Sequence, residues 1–150
     1  MKLANALSKR SELQERIHQL ENRLQNNARV QEGESPAEDP QELLRELEED
    51  YVRLEELIAH INRTNSCTLV NGSPLSDLLA RRDCWKNRLR GLRAFLDCAS
   101  ELTPRRTAGE IKIHSTVNVR EMQKQLDQRA KELRELEEII QEANWTTELV

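Results

Sequence analysis

Apolar positions recur at alternating three- and four-residue intervals in four stretches of the chain, the spacing of one helix face rather than of a strand. The first stretch predicts a helix over residues 3–30, with Ala6, Leu13, Ile17, Leu20 and Leu24 in the stripe, Leu3 and Leu7 leading in, and Arg10 interrupting. The segment from Gln31 to Pro40 breaks the pattern with Gly33, Pro36 and Pro40, and Asp39 before Pro40 is an N-cap followed by a proline suited to the first helical turn. A second helix is expected over 40–62, its seam read as Leu44, Leu47, Tyr51, Leu54, Ile58 and Ile61. Asn62-Arg63-Thr64-Asn65, whose side chains bond readily to backbone, reads as its stop.

Asn71-Gly72 is a tight-turn signal, and Cys67 to Val70 beside it reads as a short strand. A third helix follows over 75–99, striped by Leu75, Leu78, Trp85, Leu89, Leu92, Leu96 and Ala99, with Arg82 on the seam. Ser100 to Gly109 reads as polar loop, after which Ile111, Ile113, Ser115 and Val117 alternate with polar residues as a strand would. Asn118 with Glu121 resembles a capping box opening a fourth helix over 119–144, striped by Val119, Met122, Leu126, Leu133, Leu136 and Ile140, with Arg129 and Ala130 competing for the middle position.

The expected fold is therefore all-α. Four long amphipathic helices form two antiparallel hairpins, the first on the second and the third on the fourth, in one coiled-coil-like domain spanning 1–150. A minor β element is expected near 67–75 and 110–117. Helices of about 25 residues are roughly 38 Å long. A narrow seam on each buries little apolar area per residue, so association between copies is the expected remedy, and the chain reads as a homo-oligomer.

Composition sharpens this reading chiefly by exclusion. Charged residues make up 33% of the 150 and both signs are interspersed, for a net charge of −4, so no basic face for nucleic acid or for an anionic membrane is expected. No apolar run approaches a membrane span, and the N-terminal ten residues lack the core of a signal peptide. The three cysteines, Cys67, Cys84 and Cys98, are odd in number and widely spaced, which suits reduced thiols in a cytoplasmic protein better than a disulfide framework or a zinc site. Cys84 and Cys98 read as small apolar residues flanking a core.

Candidate chemistry is sparse. Glu46 and Glu49 have the Glu-x-x-Glu spacing that holds Mg²⁺ on some helical bundles, but they lie opposite the stripe read for that helix. His18, His60 and His114 sit on separate segments, and the glycines are scattered singly. No catalytic residue, metal site or cofactor is expected. The seam arginines Arg10, Arg82 and Arg129 require a partner or a path to water, and register control is their plain role. The sharper alternative is an anion pocket or interface cluster drawing on Arg63, Arg81, Arg82, Asp83 and Lys112, with Trp145 as an amphipathic anchor for another subunit.

Five blocks together, Asn27 to Glu34, Pro36 to Pro40, Ile61 to Asn65, Ala80 to Asp83 and Asn144 to Leu149, resemble the small bacterial proteins labelled septicolysin, in the same order and over nearly the whole chain. That resemblance implies a small helical protein of uncharacterised function and transfers no catalytic residues. The cytolytic activity in the label would require an export signal and a membrane-facing apolar segment, and the residues offer neither. The expected function is a non-catalytic structural or interaction role. The alternative is a small-molecule or metal-dependent enzyme with its site between subunits.

Overall fold

A computed structural model describes residues 1–101 and 111–150. The chain is all-α, with helices α1 (Leu3–Asn26), α2 (Pro40–Cys67), α3 (Leu75–Ser100) and α4 (Val119–Thr146), and a two-stranded hairpin of β1 (Leu69–Val70) and β2 (Ser73–Pro74). It divides into two compact units. The first holds Met1–Leu75 and Glu142–Val150, and the second Ser76–Gln141.

In the first unit α1 and α2 form an antiparallel hairpin. Arg23 pairs with Glu38 at the turn end, and Arg16 meets Asp50 further along. Both helices have buried or half-buried positions in three–four alternation along the seam. On α1 these are Leu3, Ala6, Arg10, Leu13, Ile17, Leu20 and Leu24, with Asn27 just beyond the helix. On α2 they are Leu43, Leu47, Asp50, Leu54, Leu57, Ile61 and Thr64. The stripe expected on α2 is thus displaced by about one position. Leu44 and Tyr51 lie on the flank, 47% and 44% exposed, while two polar residues, Asp50 and Thr64, stand in the seam.

Local chemistry explains the ends. Asp39 accepts from Gln41 N and Pro40 takes the first turn, as the sequence predicts. Helix α1 ends earlier than expected because the buried Asn27 side chain turns the chain. Its Nδ2 donates to Arg23 O at 2.9 Å and its Oδ1 accepts from Glu38 N at 3.0 Å. Helix α2 runs through the expected stop to Cys67, since Thr64 donates its hydroxyl to His60 O and Ser66 to Asn62 O, inside the helix.

The Asn71-Gly72 turn forms the predicted hairpin. Both residues have positive φ, 51° and 82°, which a two-residue turn between twisted strands demands. No strand forms over 111–117, where Ile111 and Ile113 are exposed. Alternation alone does not make a strand without a neighbour to pair with, and residue 110 lies outside the described residues. The loop read over 100–109 lies outside them from residue 102 onward.

In the second unit α3 and α4 pack antiparallel around Leu89, Leu96 and Leu126, with Leu92, Val119, Met122, Ala130 and Leu133 against them. Lys86 Nζ meets Glu137 Oε1 at 2.6 Å. At the α4 N-terminus Asn118 Oδ1 accepts from Glu121 N, one half of the expected capping box. Cys84 and Cys98 are exposed on α3 rather than set beside its core, because they fall on the face opposite the Leu89–Leu96 seam; Cys67 is exposed as well.

Candidate functional site

The two flanks of the α1–α2 hairpin differ in chemistry. On one flank Lys9, Glu12 and Arg16 from α1 meet Arg53, Glu56 and His60 from α2 over a floor of Leu13 and Leu57. Together with Met1 and Leu149 they line an open groove of about 550 Å³. At its edge the Asp50 side chain is fully buried in the seam. Arg53 Nη1 donates to Asp50 Oδ1 at 3.1 Å. Arg16 Nε lies 2.8 Å from Oδ2 without the direction of a hydrogen bond, so that oxygen has an ionic neighbour but accepts no hydrogen bond. Each arginine is more than half exposed and carries a second carboxylate, Glu46 at 3.7 Å from Arg16 and Glu49 at 3.4 Å from Arg53. The groove and its edge thus hold three basic side chains, Lys9, Arg16 and Arg53, against the five carboxylates of Glu12, Glu46, Glu49, Asp50 and Glu56. Its arginines neutralise the buried aspartate and fix how α1 sits on α2.

One end of this groove is closed by the chain's last residues. Leu3 N donates to Thr147 O, Leu149 N to Met1 O, and Val150 N to Thr64 Oγ1 at 3.0 Å. The His60 ring, protonated at Nδ1, donates to Val150 O at 2.6 Å. Glu148 meets Lys2 and the Met1 amino group at 2.8 and 2.9 Å. Hydrogen bonds from Lys2 and then from that amino group hold the Glu148 carboxyl at about 2, below its ordinary 4.5.

A carboxylate so depressed stabilises the fold fully above its unfolded value and loses that contribution as pH falls through the folded one. The stability gap between the wild type and Glu148→Gln is therefore expected to be constant from above pH 4.5 to neutrality and to close as pH falls towards about 2. Denaturant midpoints across that range measure it, and a gap that stays constant would contradict the pairing.

The other flank of the hairpin is apolar. Tyr51, Leu54, Glu55, Ile58, Ala59 and Asn62 line an open groove of about 460 Å³, and Leu44 continues the stripe towards the start of α2. The Tyr51 hydroxyl donates to Glu21 Oε1 at 2.8 Å, which raises the phenol's pKa and ties the ring across to α1.

The residues singled out as a candidate cluster distribute as follows. Arg63 is exposed on α2 and Trp145, 59% exposed, is on the last turn of α4, both in the first unit. Arg81, Arg82, Asp83 and Lys112 belong to the second. The structure brings Arg82 and Asp83 together, Nη2 to Oδ1 at 2.8 Å, as neighbours on α3. Arg82 and Arg129 are half-buried at their seam positions, and Arg129 lines a small cavity of about 100 Å³ with Trp85, Arg88, Leu89 and Glu132. Glu46 and Glu49 have arginine neighbours, and among the described residues no group of three or more His, Cys, Asp or Glu is arranged to hold a metal. No described helix is long and apolar enough to cross a membrane.

Fold and surfaces define an all-α protein of helical hairpins whose distinctive features are a buried aspartate clamped by two arginines and an uncovered apolar helix flank. The family model described as a family of unknown function, DUF6847, matches residues 10–149, and the chain belongs to that family. A crystal structure of a functionally unknown conserved protein from Corynebacterium diphtheriae is 42% identical, with a TM-score of 0.94 over 100% of this chain and 99% of that one. No curated protein matches. Neither the family nor the neighbour is described as a septicolysin, so the label read from the sequence blocks gains no support here, while the small helical protein of uncharacterised function that it implies agrees with both descriptions.

Proposed function

We propose that this protein is a non-catalytic interaction protein that works by self-association, with the apolar flank of α2 as its docking face. The observation that carries this reading is the column Leu44, Tyr51 and Ile58, which repeats at heptad spacing on the flank of α2, outside the α1–α2 seam and beside its leucines Leu47 and Leu54. Leu44 and Tyr51 are exposed and Ile58 is half-buried. A helix with one partner needs one seam, and a second apolar stripe beside it is the mark of a second partner. The polar groove supports a catalytic reading less well, since its arginines serve a buried carboxylate and its charges do not converge on an open point. Trp145 is a further candidate anchor on the same unit.

Leu44→Asp tests the proposal without touching the intramolecular core. Sedimentation equilibrium is expected to show the wild type associated and the variant shifted to monomer, with helicity unchanged. Equal association in both would remove α2 from the interface.

A further inference from the structure

The α2 stripe is edged on its outer side by Glu48 and Glu55, both exposed and one heptad apart. Were two copies to meet stripe on stripe through α2 alone, these carboxylates would be brought together with their counterparts, and like charges that close repel. The same flank of the hairpin carries a second column, on α1. The Tyr51–Glu21 hydrogen bond fixes which side of α1 this is, and helical spacing then places Leu7, Gln14, His18 and Gln25 in line with Glu21. Gln14, His18 and Gln25 are exposed, and each can donate a hydrogen bond to a carboxylate. The one carboxylate in that column, Glu21, already accepts from Tyr51.

Resting on the self-association reading above, we propose that the partner of the α2 stripe is the α1 column of a second copy. A two-fold axis sets α2 of each copy on α1 of the other, so that Leu44, Tyr51 and Ile58 are covered and Glu48 and Glu55 lie along the His18 side of the facing helix. The arrangement is isologous and closed, so it ends at a pair of hairpins rather than a filament. It covers both apolar stripes, one on each copy, along the roughly 21 Å from Leu44 to Ile58.

Charge exchange distinguishes this pairing from others. His18→Glu sets a carboxylate against Glu48 and Glu55 of the facing copy. It is expected to weaken association at least tenfold by sedimentation equilibrium, with helicity and melting temperature near those of the wild type. Gln19→Glu adds the same charge about 100° further round α1, on its exposed side, and is expected to leave association unchanged. Adding Glu48→Lys and Glu55→Lys to His18→Glu is expected to restore association. A wild type that associates while His18→Glu associates just as well would overturn this pairing and leave self-association standing. So would a combined variant that fails to recover. A wild type monomeric at every concentration would overturn both.

Discussion

Replacing Arg16 and Arg53 together by alanine is expected to destabilise the protein by about 3–5 kcal/mol, the usual cost of leaving a buried charge without its partner. Asp50 has no exposed side-chain surface and sits in a seam whose neighbours on α2 are leucines, so it cannot turn to water when the guanidiniums are gone. The arginines, by contrast, are 54% and 58% exposed and can solvate themselves. The effect is therefore asymmetric: Asp50→Leu removes the buried charge, lets both arginines swing out, and is expected to be neutral or stabilising. Urea denaturation at neutral pH measures both variants. A double variant as stable as the wild type at neutral pH would mean that Asp50 is not held by this pair.

The second large effect concerns the register of α2. Ile61 is 1% exposed against α1, and truncating it to alanine is expected to cost roughly 2–5 kcal/mol. Ile58, three residues earlier and half-buried on the flank, is expected to cost well under that when truncated at protein concentrations where the chain is monomeric. Thermal or urea unfolding of the two variants decides the matter. A larger loss at Ile58 than at Ile61 would rotate α2 about its axis and put Leu44 and Tyr51 in the intramolecular core.

That register shows where the sequence was legible and where it was not. The stripes of α1, α3 and α4 carry enough leucine and isoleucine at seam positions to point to the right face, and Asp39-Pro40 and Asn71-Gly72 act through local geometry that needs no tertiary context. On α2 the hydrophobic pattern misleads. Asp50 and Thr64 occupy buried seam positions, while Leu44, Tyr51 and Ile58 form a more apolar column beside them. A signal was present, since residues 43, 47, 50, 54, 57, 61 and 64 keep an unbroken three–four alternation if one charged residue is allowed inside. What no local pattern supplies is that Arg16, thirty-four positions away, stands ready to neutralise it.

The Asn62–Asn65 stop failed for a related reason. Side chains that compete for backbone also satisfy themselves within a helix, as Thr64 and Ser66 do. The closing strap was invisible because Lys2 and Glu148 acquire their partnership only when the ends of the chain meet. The same holds for the apolar flank: sequence counted its residues as core, and only the placement of α1 shows that they remain uncovered.

Self-association through that flank is the central claim, and the solution mass of the wild-type protein tests it most directly. Native mass spectrometry over a dilution series is expected to give a closed pair at twice the 17.5 kDa chain mass that falls apart only on dilution. A species of 17.5 kDa at every concentration would contradict it and leave the α2 stripe to a different partner.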